Sequence, residues 1–399
     1  MDGFSFRMPT RIEFGEGKES HVGELVSASD GARVLIVYGG GSVKRSGLLQ
    51  RVIASLDRSL IPHTILCGVR PNPLSNLVRE GVDLARDEKV DFVLALGGGS
   101  VIDTAKAIAA GVPYNGDFWD FYEGERAPET ALPVGVVLTT AATGSEADGD
   151  SVITSSETGL KRETSAACLR PRFTVMDPAL TETLPAYQTA CGIFDIMSHL
   201  YEAYLSTTAE TSVSDRMIEG VMIALTEQAP RVMADPHDHQ ARANIMWAAN
   251  VALNGMIGAG REQDWGSHEI EYALSSEYGV AHGAGLAVTM PAVLSWYAAR
   301  SPERLATLAV RVWGAPEPKA GDPAALRAAA EEGIAALRAF ADSLGLPATL
   351  EEVGGADAAA DIPRMAHDTC FSGGRTGTVG GFIPMDEAAV TEVFRLMCA

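Results

Sequence analysis

The first half of the chain alternates compact apolar runs with longer stretches in which apolar positions recur every three or four residues. Arg33-Val34-Leu35-Ile36-Val37-Tyr38, Thr64-Ile65-Leu66-Cys67, Phe92-Val93-Leu94-Ala95-Leu96, Val134-Gly135-Val136-Val137-Leu138 and Arg172-Phe173-Thr174-Val175-Met176 are short and β-rich. The first is the kind of run that makes a buried parallel strand, and the others read as strands beside it. Between them, segments such as 47–56 and 74–84 carry apolar residues at helical spacing (Leu74, Leu77, Val78, Val82, Leu84). Thr10, Ile12 and Phe14 alternate with polar neighbours, which predicts a short edge strand, and 150–176 reads as a hairpin around Glu157-Thr158-Gly159 plus a final strand. Strand, turn and helix in repetition predict an α/β domain with a doubly wound, mostly parallel, Rossmann-like sheet. Beyond Pro185 the β runs stop and helical spacing takes over, with breaks at Ala229-Pro230, 235–239, 314–318 and Gly345-Leu346-Pro347. We therefore divide the chain into an α/β domain over 1–184 and an all-helical domain over 185–399.

Two strands end in glycines. Gly97-Gly98-Gly99-Ser100 leads into a helix over 101–111 that continues through Asp103. Such a turn lets the backbone approach a pyrophosphate, with free amides of the helix N-terminus and the Ser100 hydroxyl as donors. A tight strand-to-helix turn would place glycines there as well. It is neither a GxGxxG fingerprint nor a P-loop. The other turn, Gly39-Gly40-Gly41-Ser42, is followed by Lys44 and Arg45. A site for NAD places a carboxylate near such a strand end to take the ribose hydroxyls. Open amides, a hydroxyl and two cations suit a 2′-phosphate better, which favours NADP(H) over NAD(H). A solvated basic pair after an ordinary turn is the alternative. The strand ending at Leu138 runs into Thr139-Thr140-Ala141-Ala142-Thr143-Gly144-Ser145-Glu146, a polar lip on the same sheet edge.

In the helical half, Asp195 and His199 lie one turn apart and project from one face. Such a pair is common on solvated helices and is also the spacing of two metal ligands. Of the other histidines, His21 and His63 lie in ordinary segments, His237 and His239 in a polar loop, and His367 has no evident partner. His268 opens a helical segment, and His282 sits among small residues that permit close approach. With Asp195 and His199 these offer three nitrogens and one oxygen without sulfur, a set suited to Fe2+ or Zn2+.

Composition narrows the field. With 31 basic against 52 acidic residues the net charge is −21, which disfavours nucleic acid and anionic membranes as partners. Five scattered cysteines without a CxxC spacing, no apolar run long enough to span a bilayer, and no signal-peptide pattern point to a cytoplasmic protein.

Taken together, Thr10-Arg11-Ile12-Glu13-Phe14-Gly15, Pro71-Asn72-Pro73, Gly97 to Asp103, Thr139 to Glu146, Asp177-Pro178, Asp195 with His199, and His268 with His282 resemble the iron-containing (group III) alcohol dehydrogenases. The match runs nearly end to end, and Tyr38-Gly39-Gly40-Gly41-Ser42 looks most like the NADPH-dependent aldehyde reductase and butanol dehydrogenase branch. The resemblance implies a nucleotide-binding α/β domain, a helical metal domain and an active site in the cleft. It implies Asp195, His199, His268 and His282 as ligands of one divalent metal. It implies Gly98, Gly99 and Ser100 on the pyrophosphate, Thr139 and Thr140 along the nucleotide, and Asn72, Asp103 and Lys161 near the cofactor. The substrate would be a small aldehyde or primary alcohol, and the assembly a homodimer through the N-terminal edge strand. Many relatives carry a further histidine one turn after His268, serving proton movement or substrate placement, where this chain has Tyr272, so a tyrosine hydroxyl or water would relay the proton. Phe118, Trp119, Tyr122 and Trp265 are expected as apolar wall, and glycine-rich 373–381 is expected near the cleft. A glycerol-dehydrogenase-like polyol enzyme, a dehydroquinate-synthase-like enzyme and a non-catalytic nucleotide sensor are the competing readings.

Overall fold

The computed structural model describes residues 1–372 and 375–398. Eight of its strands belong to the first half: β1 (Arg11–Phe14), β2 (Val34–Tyr38), β3 (His63–Cys67), β4 (Phe92–Gly97), β5 (Val134–Leu138), β6 (Asp150–Thr154), β7 (Lys161–Ser165) and β8 (Phe173–Met176). Six of them form one sheet in the order β1-β8-β5-β4-β2-β3, and every pairing is parallel. β2, β4, β5 and β8 are buried at every position, as their unbroken apolar runs demand. On β5, Gly135 leaves room for the rings of Phe92 and Phe173, which stack with centroids 5.9 Å apart; a Cβ there would come within 2.8 Å of Phe173 Cε1. The predicted hairpin is the antiparallel β6–β7 pair.

The strand order fixes where a ligand can sit. The chain runs from β2 to β3 on one side and returns to β4 on the other, so winding reverses between β2 and β4. Doubly wound sheets open a crevice at that switch point, outside the carboxyl ends of the strands. Tyr38 at the end of β2 is level with Leu96 near the end of β4, so the two glycine turns leave the sheet side by side.

Contacts divide the chain into two units. The α/β unit comprises Arg7–Leu184 together with Ala249–Asn254, and the helical unit comprises Met1–Phe6, Pro185–Ala248 and the chain from Gly255 onward. Asn250 belongs with the first because its amide donates to the buried Glu146 at 3.0 Å. The first residues belong with the second because the Met1 ammonium donates to the Ala209 carbonyl at 2.6 Å and the Asp2 amide to that of Gly260 at 3.0 Å.

The helical unit departs from expectation in two places. Its helix Ser212–Ala234 runs through Pro230 instead of breaking there. Pro230 is exposed, so the carbonyl left without an amide partner can turn to water. The unit also carries a two-residue antiparallel ladder, β9 (Thr378–Val379) with β10 (Met385–Asp386). Among the described residues no helix is long and apolar enough to cross a membrane, and all five cysteines are free.

Candidate metal centre and nucleotide turns

Three helices of the helical unit converge on one carboxylate oxygen. Asp195 and His199 come from Ala186–Tyr204, His268 from the first turn of Gly266–Tyr278, and His282 opens His282–Ala298. The first is buried over all but its opening residues, which is why its sequence shows no polar face. Gly283 lets the third pack closely, since a Cβ there would collide with the backbone of Cys191.

Nε2 of His199, of His268 and of His282 each lie 3.7 Å from Asp195 Oδ1. That is too far for a hydrogen bond and close to the roughly 3.3–3.6 Å between ligands of a tetrahedral ion with bonds of about 2.0–2.2 Å. Donor atoms of Asp195, His268 and His282 fall within 4.8 Å of one another. Asp195 Oδ1 and His268 Nε2 are buried without any hydrogen-bond partner, a costly state that a cation relieves. The His199 ring stacks on that of His268 with centroids 4.6 Å apart, and Trp265 stands edge-on to His268 at 5.5 Å and to His199 at 6.2 Å. Burial opposes charge on Asp195, but the three surrounding imidazoles hold its carboxyl well below the usual carboxylate range. Burial pushes His199 down to about 3, so it is neutral and its lone pair is available. The residues present therefore fit a divalent cation with nitrogen and oxygen preference.

The first-sphere candidates were legible in sequence, but two further groups were not. Glu202 bonds Nδ1 of His268, and Glu271 bonds Nδ1 of His282. Both carboxylates are fully buried. The available signal was an acidic residue three positions after a histidine in an otherwise buried helix, at His199/Glu202 and at His268/Glu271. Tyr272 is 8% exposed, with its ring 6.2 Å from that of His282. Gly380 and Gly381 lie against the start of the His268 helix: the Gly380 amide donates to Glu269 at 2.7 Å and the Gly381 amide to Asp264 at 2.8 Å. Gly373 and Gly374 of that glycine-rich stretch lie outside the described residues. His367 has a partner after all, with Nδ1 3.4 Å from Glu387 and its ring against Phe371.

In the α/β unit, Gly98 is the N-cap of the helix Gly99–Gly111 and, having no side chain, offers its first amides no cap. Threonines of the polar lip press against that turn. A Cβ on Gly98 would stand 2.8 Å from Thr140 Cβ, and one on Gly99 2.6 Å from Thr143 Oγ1. Thr139 is tied beside them by its amide, which donates to the Gly97 carbonyl at 3.1 Å. Ser100, Thr139 and Thr140 are half-buried, while Gly40, Gly41, Ser42, Lys44 and Arg45 are exposed beyond β2, with Gly39 half-buried before them. Lys44 lies 5.4 Å from the centre of the Tyr38 ring. Asn72 adopts a positive φ of 52°, and Lys161 pairs across the hairpin with Thr154, whose amide donates to the Pro73 carbonyl at 2.8 Å. Asn72 and Lys161 are thereby brought to one region. Asp103 is occupied internally: it accepts from Ser145 Oγ at 2.7 Å and from the Val152 amide at 3.2 Å. Burial raises it to about 6 against the opposing pull of Lys106. Phe118 and Tyr122 are core, 3% and 2% exposed, so only Trp119 of that trio remains part-exposed.

Comparison with known proteins supplies the context. The family model described as iron-containing alcohol dehydrogenase matches residues 9–178, and that of the C-terminal part of the same family matches 189–397. The chain is 38% identical over 397 residues to NADH-dependent butanol dehydrogenase A of Clostridium acetobutylicum, covering 99% of each. It is 40% identical over 359 residues to the NADPH-dependent aldehyde reductase YqhD of Escherichia coli, covering 89% of this chain and 90% of that one. The crystal structure of NADH-dependent butanol dehydrogenase A from Thermotoga maritima superposes with a TM-score of 0.94 at 34% identity, covering 100% of this chain and 99% of that one.

Proposed function

We propose that this chain, which belongs to the iron-containing alcohol dehydrogenase family and is an alcohol/aldehyde oxidoreductase, acts chiefly as an aldehyde reductase. NADPH, when bound, would supply the hydride that, together with a proton, converts a small aldehyde into a primary alcohol. The observation that carries the reading is the equal 3.7 Å approach of three imidazole nitrogens to one buried, unpartnered carboxylate oxygen.

Asp195, His199, His268 and His282 would hold one divalent ion, Fe2+ or Zn2+. When bound, such an ion supplies Lewis acidity toward the carbonyl oxygen. The remaining work falls to the chain itself. The free amides at Gly98 and Gly99 and the Ser100 hydroxyl bind the pyrophosphate at a helix N-terminus, and Thr139 and Thr140 flank it. Asn72 and Lys161 contribute to the same nucleotide site. Gly39, Gly40, Gly41, Ser42, Lys44 and Arg45 receive the 2′-phosphate, since no carboxylate stands among them to take a ribose diol. The Tyr272 hydroxyl, or water beside it, delivers the proton to the oxygen as the alcohol forms. Trp265 supplies an apolar wall.

A cytoplasmic homodimer working against a reduced NADPH pool completes the proposal. The relatives do not favour the polyol, dehydroquinate-synthase-like or sensor readings. Anaerobic purification with elemental analysis, followed by kinetics on short aldehydes with NADPH and with NADH, tests it. Absence of a stoichiometric divalent metal would sink the ligand assignment, and a clear NADH preference would sink the 2′-phosphate assignment.

A further inference from the structure

We propose that Glu202 and Glu271 are positioning residues that set the protons and ring orientations of His268 and His282 for metal binding; this rests on the ligand reading above. An imidazole that donates its Nδ1 proton to a carboxylate is left with its Nε2 lone pair free, and the negative partner makes that lone pair more basic. Both histidines are in this arrangement, and in both Nε2 ends 3.7 Å from Asp195 Oδ1.

The pairing crosses between helices. Glu202 sits three residues after His199 but serves His268, and Glu271 sits three residues after His268 but serves His282. Each carboxylate thus orients a ligand on the next helix and ties the three helices together around the centre. The carboxylates are themselves fixed. Glu202 accepts the amides of Ser267 at 2.8 Å and His268 at 3.2 Å, and Glu271 accepts the Ser275 hydroxyl. A carboxylate buried this completely is costly unless its bonds are made. His199 is held differently: its Nδ1 is buried with no hydrogen-bond partner, and its ring is kept in place by stacking on His268 and the edge of Trp265. Two imidazoles are therefore locked before an ion arrives, and the third closes the set by packing.

The test uses the metal-loaded full chain. Zn2+ affinity is measured by competition with a chromogenic chelator, and the Co2+-substituted enzyme is followed by its visible d–d spectrum. Glutamine preserves shape and an acceptor oxygen but removes the charge. Glu271→Gln and Glu202→Gln should each weaken Zn2+ binding about 10–100-fold and shift the Co2+ spectrum, with the metal-free melting temperature near that of the parent. Affinity and spectrum unchanged in both, while His199→Ala and His268→Ala abolish binding, would overturn this inference and leave the ligand reading intact. A parent chain that binds no ion would overturn both. Glu202 also receives two backbone amides, so its variant risks misfolding. Glu271→Gln decides the matter by itself if that happens.

Discussion

His199 Nε2 stands 3.7 Å from Asp195 Oδ1 across one helical turn, with both side chains buried and no hydrogen bond between them. Two polar groups are held there at the separation of co-ligands. His199→Ala should therefore lose bound divalent metal and lower kcat/KM for butyraldehyde with NADPH by more than about 100-fold, beyond what losing a supporting partner costs. Chelator-treated parent enzyme should lose activity equally and regain it with Zn2+ or Fe2+. A His199→Ala enzyme that keeps most of its activity would exclude the assignment.

The glycine turn leaves no space for a side chain. Gly98→Ala brings a Cβ to 2.8 Å from Thr140 Cβ, and such overpacking costs about 1–3 kcal/mol. Relief by movement of the turn would displace the amides from the pyrophosphate. A lower melting temperature and a raised KM for NADPH, with KM for the aldehyde little changed, are the expected results.

Cofactor choice should follow charge at the end of β2. Ser42→Asp introduces a carboxylate suited to a ribose diol and repulsive to a 2′-phosphate. It should invert the ratio of kcat/KM for NADPH and NADH. Lys44→Ala should reduce that ratio about tenfold, the scale of one charge-assisted contact. Equal loss with both nucleotides would mean that neither residue reads the phosphate.

Lys106 is completely buried and donates to Asp148 at 2.6 Å, to Ser145 Oγ at 2.9 Å and to the Asp150 carbonyl at 2.8 Å. Lys106→Ala strands a buried carboxylate, a loss of about 3–5 kcal/mol. Denaturant unfolding should show it as a lower midpoint. A stability near that of the parent would show that water reaches the site.

Glu157 contributes to stability in acid. Its side chain is 57% exposed; slight desolvation works against its charge, but Ser155, Ser156, Ser75 and Arg79 hold its carboxyl down at about 2, an effect that solvent screening keeps small. An unfolded glutamate titrates near 4.3, so between those values the unfolded chain binds more protons, and stability rises with pH. The contribution is complete above about pH 4.3 and disappears as pH falls to about 2. Glu157→Gln should flatten the stability profile over that window and leave its slope at neutral pH unchanged, as followed by thermal melts from pH 2 to 6.

Much of this molecule was legible in the chain. Four of the five apolar runs became strands covered on both faces, which have no polar side to show, and the fifth, β3, became a partly exposed edge of the sheet. The glycines after β2 and β4 announced where those strands end, and Gly98 and Gly99 leave no room for a side chain against Thr140 and Thr143. Asp195 and His199 were visible as a pair because helical spacing is local. Other relationships depended on which elements become neighbours. Spacing would match Glu202 with His199 and Glu271 with His268, and packing instead gave them to His268 and His282, because the side chains that meet are set by how helices cross. The resemblance places Asp103 near the cofactor, yet its oxygens accept from Ser145 of the polar lip and Val152 of the hairpin, 42 and 49 residues along the chain. Residue types and local spacing could nominate candidate ligands and phosphate-binding turns. Only the fold decided that three imidazoles share one oxygen, that two of them are locked from behind, and that the glycine turns leave the sheet as neighbours where its winding reverses.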